Sequence, residues 1–143
     1  MSRLRDGDWI AGAGGLALLV TLFVPWYGDA SAWAAFSILD VVLALLTLVP
    51  FALVGLQATR RSPALPVAFS VFTVLAGALA TLLVLWRLVD QPGPNEVVSV
   101  RPGAWLGLLA AIAIAAGGWR SLRVEAMPGA ASPPIEDLPV PGR

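Results

Sequence analysis

Cysteine, histidine and lysine are all absent from this 143-residue chain, and each absence excludes a class of chemistry. Without cysteine there is no disulfide and no thiol nucleophile. Without cysteine and histidine the usual ligands of zinc, haem and iron–sulfur clusters are missing. Histidine is also the one side chain that titrates near neutrality unperturbed. A serine nucleophile would lack a histidine or lysine base. No glycine-rich phosphate loop follows a strand, since Gly12-Ala13-Gly14-Gly15 lies inside an apolar run. The expectation is a non-enzyme with no cofactor and no metal. Charge is scarce as well. Charged residues make up 13%, against about 25% in globular domains. The formal net charge is zero, so no basic field exists to attract nucleic acid.

What is present is apolar length. Hydrophobic residues are 58% of the chain, gathered in runs over 9–26, 34–56, 67–89 and 104–119. A bilayer core takes about 20 apolar residues per helical crossing. The expected fold is all-α: a membrane-embedded four-helix bundle over 1–124. A disordered cytoplasmic tail over 125–143 follows, too rich in Pro, Gly and Ala to bury a core.

The nine basic residues, all arginine, set the orientation. Arg3, Arg5, Arg60, Arg61, Arg120, Arg123 and Arg143 fall on the side of the two termini, and only Arg87 and Arg101 on the other. Basic loops stay in the cytoplasm, so both termini are expected there, in a bacterial cytoplasmic membrane. Aromatic residues agree. Trp26, Tyr27, Trp33, Trp86 and Trp105 fall at the outer helix ends, and Trp9 and Trp119 at the inner ends. These seven are expected as interface anchors, where an amphipathic ring gains from both phases. Pro25 ends the first run, Pro63 and Pro66 precede the third, and Pro92, Pro94 and Pro102 break the third connection. Pro50, inside the second, should kink or shorten it. A rival reading takes Arg3, Arg5 and Ala30-Ser31-Ala32 as a cleavable secretory signal. Asp6 and Asp8 argue against it, because signal n-regions are basic.

Two patterns point to sites. Gly103, Gly107, Ala111 and Ala115 recur every four residues, and Gly77 offers a small position in the third run. Small residues so spaced let helix backbones approach closely, within the chain or between copies. The second pattern is a pair of charges in apolar surroundings. Asp40 lies seven residues after Trp33, about 10 Å at 1.5 Å per residue, and Arg87 follows Trp86. Intramembrane charges are costly and usually paired. Asp40 and Arg87 are therefore candidates for a polar pocket in the outer half of the membrane, with Ser37 lending a hydroxyl. The competing expectation is that Arg87 snorkels to the surface and Asp40 joins adjacent helices.

The run Phe23-Val24-Pro25-Trp26-Tyr27, then Ala32 to Asp40, then Gly103-Ala104-Trp105-Leu106-Gly107-Leu108 and Gly117-Gly118-Trp119, carries a resemblance. It is similar to an uncharacterised family of small four-helix integral membrane proteins of actinobacteria. The resemblance implies a bacterial inner membrane, assigns no activity, and points to Pro25-Trp26-Tyr27 and Asp40. The leading expectation is a non-enzymatic accessory, assembly or homo-oligomeric protein acting through helix contacts. The alternative is a small transporter or channel subunit built on Asp40 and Arg87. Expected partners are membrane lipids, with a second copy or another membrane protein.

Overall fold

The computed structural model describes residues 4–35, 38–59, 64–91 and 99–126. Its helices are α1 (Asp6–Thr21), α2 (Ala32–Ala35), α3 (Ile38–Thr59), α4 (Ala64–Val89) and α5 (Pro102–Ala126). Two short strands, β1 (Pro25–Tyr27) and β2 (Ala30–Ser31), separate α1 from α2. Three segments, of 22, 22 and 23 residues in α3, α4 and α5, are long and apolar enough to cross a membrane. By the length and composition of these helices the chain is a membrane protein. α1 has 16 residues. It spans about 24 Å at 1.5 Å per residue, short of the roughly 30 Å hydrocarbon core.

Several expected boundaries move. The first helix stops at Thr21, not at residue 26. Leu22, Phe23 and Val24 hydrogen-bond back to Leu18, Val20 and Thr21 in tightening turns, and Pro25 has no N–H to continue. The chain then forms an antiparallel hairpin, pairing Pro25 with Ser31 and Tyr27 with Ala30. This short two-stranded hairpin is a local addition to a mostly helical molecule. Gly28 supplies the reversal with φ 55°, a region that costs a glycine little. Tyr27 also bridges Val100, and the Gly28 N–H donates to the Ser99 carbonyl. Two connections distant in sequence thereby satisfy each other's backbone groups at one end of the molecule, here the hairpin end. α3 continues through Pro50, which is buried against Gly15 of α1. α5 runs on to Ala126, past the expected end at 119. The expected tail thus begins inside its last turn, and 127–143 lie outside the described residues.

α1 packs on α3 and α5, and α4 packs on the same two, with α5 making the broadest contacts. Glycines set how close these helices come. A Cβ on Gly14 would sit 2.9 Å from the Ile114 nitrogen and 3.0 Å from the Ala110 carbonyl oxygen. Gly117 lies against the Ala11 backbone, Gly77 against that of Ala115, and Gly118 against that of Val74. The stripe from Gly103 to Ala115 is therefore used inside the chain. Each four-residue step turns about 40° around a helix of 3.6 residues per turn. The stripe accordingly drifts from the hairpin and α1 at Gly103 and Gly107 to α4 at Ala115. Leu18, Leu22, Leu43, Val84 and Ile114 fill the remaining interior, all at 0% exposure. Large apolar side chains such as Leu16, Leu45, Leu48, Leu75, Leu82 and Leu109 point outward.

At the opposite end, the start of α1 is fastened to the end of α5. The buried Asp8 carboxylate accepts from the Ser121 hydroxyl at 2.6 Å and from the Arg5 backbone N–H at 2.9 Å. Nearby, exposed Arg120 and Asp6 form an ion pair at 3.4 Å.

Candidate functional site

The hairpin end brings together Trp26, Tyr27, Arg87 and Arg101. Trp26 is fully buried. Its indole N–H donates to the Thr21 carbonyl at 2.6 Å. The ring lies over Gly107, where an added Cβ would fall 2.5 Å from Trp26 Cζ2. Gly103 makes room beside it, against the Pro25 carbonyl. Tyr27, 3% exposed, donates its hydroxyl to the Arg87 carbonyl at 2.6 Å. Both residues were expected as interface anchors, and the structure corrects this. The early end of α1 turns the chain inward, so the two rings fill the space that Gly103 and Gly107 leave open. The other five, Trp9, Trp33, Trp86, Trp105 and Trp119, are 48–59% exposed.

Arg101 ties the hairpin down. Its backbone N–H donates to the Trp26 carbonyl at 2.8 Å, and its Nε donates to the Gly28 carbonyl at 3.0 Å. Its guanidinium also lies 3.8 Å from the exposed Asp29 carboxylate. The sequence reading gave Arg101 only a place in the charge count. Its tethering role depends on residues more than 70 positions away, which no local pattern reveals.

At the same end lies the exceptional group. Asp40, in the first turn of α3, is 1% exposed. Neither of its carboxylate oxygens has a hydrogen-bond partner. Most buried polar groups elsewhere in the molecule are satisfied. Thr21, Thr47 and Thr73 return their hydroxyls to carbonyls of their own helices, and Asp8 has Ser121 and the Arg5 N–H. Among the described residues, the other buried side-chain oxygen without a partner is Gln91 Oε1, just past α4. These three atoms are all acceptors, and all lie at the hairpin end.

Arg87, in the last turn of α4, links Tyr27 to Asp40. Its carbonyl takes the Tyr27 hydroxyl, and its positive charge acts on both Tyr27 and Asp40. The structure thus brings the two predicted polar residues, Asp40 and Arg87, into electrostatic reach of each other. Ser37, the third expected member, lies outside the described residues. Among the described residues no three acidic side chains are grouped so as to hold a metal ion.

Burial pushes the Tyr27 phenol above its ordinary value, against the opposing effect of the Arg87 charge. A group whose pKa rises on folding stabilises the fold below its unfolded value, and that stability is lost as pH climbs through the folded value. Unfolding in lipid nanodiscs should show stability falling above about pH 10, the ordinary tyrosine value. Tyr27→Phe should remove that alkaline loss and cost about 1 kcal/mol at neutral pH, the usual contribution of one hydrogen bond. An unchanged alkaline limb in the variant would assign the loss elsewhere.

Comparison with known protein families, curated proteins and solved structures yields no match to this chain.

Proposed function

We propose that the chain is a non-enzymatic multi-pass protein of the bacterial cytoplasmic membrane, a four-helix bundle with both termini in the cytoplasm. Asp40 and Arg87 form its working site, as in a small transporter or channel subunit. One observation carries this reading. Asp40 is a fully buried carboxyl in an apolar helix, with neither oxygen hydrogen-bonded. Such a group lowers stability, and functional sites are where proteins keep features of that kind.

The orientation is supported by the seven arginines on the terminal side and by the Asp6–Arg120 pair joining the start of α1 to the end of α5. For the fourth crossing, apolar Leu22, Phe23 and Val24 extend the apolar length of α1 towards the outer surface. Retention of α1 rather than its cleavage as a signal is supported by its close glycine contacts with α5.

Two measurements on Asp40 test the site. Asp40→Leu should leave the protein as stable or stabilise it by about 1–3 kcal/mol, because an unsatisfied polar group is removed. In proteoliposomes, Asp40→Asn should abolish ion flux. A large destabilisation by Asp40→Leu, with flux unaffected by Asp40→Asn, would make Asp40 a structural residue instead.

The helix-contact reading keeps one observation in its favour. Apolar grooves flank α1, one lined by Trp9, Gly12, Leu16 and Val54 and the other by Ala17, Leu109 and Ala113. It loses the small-residue stripe, which is occupied by α1, α4 and Trp26. Intact-complex mass in nanodiscs separates the two readings: a stoichiometric foreign subunit favours helix contacts, and a lone chain with flux favours the Asp40 site.

A further inference from the structure

We propose that the ligand of Asp40 is a proton, exchanged with the aqueous phase at the hairpin end, and that the Trp26–Tyr27 hairpin is the barrier to that exchange. The proposal rests on reading Asp40 as the working site.

The first argument is size. At 1% exposure Asp40 offers no approach to a hydrated ion. A proton needs no cavity. Adding it also changes the bonding inventory, since a carboxylic acid has an O–H donor where a carboxylate has acceptors only.

The second argument is the surrounding charge. From α4 the facing charge is Arg87. From β1 the titratable group is Tyr27, whose hydroxyl is committed to the Arg87 carbonyl rather than to Asp40. No residue that ionises lies in 9–28 of α1 and β1 except Tyr27, and none lies in 102–119 of α5. Asp29, Asp90 and Arg101 lie at the same end and are exposed. Arg87 supplies the positive charge that remains when the proton leaves, so the empty site is not an isolated anion. A second fixed cation would have to share the space with that guanidinium.

The third argument is the route. The proton moves from a hydronium ion at the hairpin end: an O–H bond of the hydronium breaks as one forms on the Asp40 carboxylate, and water is left behind. Release is the reverse. Both steps need water to reach Asp40. In this proposal the hairpin excludes it, held by the bonds of Trp26 to Thr21, Tyr27 to Arg87, the Arg101 N–H to Trp26, Arg101 Nε to Gly28 and the Gly28 N–H to Ser99. The ion pair of Arg101 with Asp29 on the hairpin's outer rim is exposed at 3.8 Å. Pairs of that kind hold little, so opening is governed by the hairpin's hydrogen bonds.

Infrared spectroscopy on the full chain in nanodiscs tests this directly. At mildly acidic pH the wild type should show a carboxylic C=O band that disappears in Asp40→Asn and shifts in Asp40→Glu. The second variant guards against a fold that does not tolerate the first. On transfer to deuterated buffer the band should shift slowly in the wild type. It should shift about five-fold faster in Tyr27→Phe, the factor carried by one lost hydrogen bond. Absence of the band in the wild type would show Asp40 ionised and overturn the proposal. A band whose exchange is indifferent to Tyr27→Phe and to Arg101→Gln would overturn the hairpin as barrier. A protonated Asp40 in a protein that passes no ions in liposomes would support the proton site and overturn the transport reading.

Discussion

Trp26→Ala should lower folding stability by about 3–5 kcal/mol, the range for deleting a buried aromatic side chain. The expectation follows from where the ring sits. It is fully buried, it satisfies the Thr21 carbonyl at 2.6 Å, and it fills the space over Gly103 and Gly107. Removing it leaves a cavity between α1 and α5 that two glycines cannot close, and frees the hairpin from its deepest attachment. Denaturant or thermal unfolding in a fixed detergent checks the magnitude. Trp26→Phe serves as the second variant: it keeps most of the volume and loses the N–H, so it should cost about 1–2 kcal/mol. A loss below about 0.5 kcal/mol for Trp26→Ala, the size typical of surface substitutions, would mean that the ring is an interfacial anchor after all.

Helix contacts within the chain give the second large effect. Gly117→Ala and Gly77→Ala each place a methyl group against the backbone of a neighbouring helix, at Ala11 and Ala115 respectively. Backbone cannot rotate away as a side chain can, so the helix pair must separate. Each substitution should cost about 1–3 kcal/mol, the usual scale of overpacking. Gly55→Ala is the control. Nothing lies within 4 Å of a Cβ there, so alanine's better helix propensity should leave stability unchanged or raise it by up to about 1 kcal/mol. Equal effects at the three positions would refute packing as the cause.

Much of the fold is legible in the sequence because membrane crossings are written in local composition. The runs that became α3, α4 and α5 are marked by apolar length alone, and the exposed Trp33, Trp86, Trp105, Trp119 and Trp9 by their places at run ends. Gly77 and Ala115 are visible as small residues, although not as each other's neighbours. The candidate site is only half legible. Asp40 and Arg87 stand out as charges in apolar segments. Nothing in the sequence shows that the Tyr27 hydroxyl reaches the Arg87 carbonyl, because those residues are brought together only by the packing of separate helices. The misplacement of Trp26 has a definite cause. A tryptophan at the end of an apolar run fits an interface equally well by composition. Its burial depends on α1 ending at Thr21 and on two glycines standing opposite it on α5.

The sequence by itself determined the membrane class, the apolar segments and the absence of thiol and imidazole chemistry. These are properties of composition and of periods shorter than one helix. The tertiary structure decided three further things. Trp26 and Tyr27 are interior, Gly103 to Ala115 serve the chain itself, and Asp40 lies buried without a hydrogen-bond partner. Each is a relation between surfaces distant along the chain. Residues 26 and 107, or 27 and 87, acquire a distance only when their helices pack.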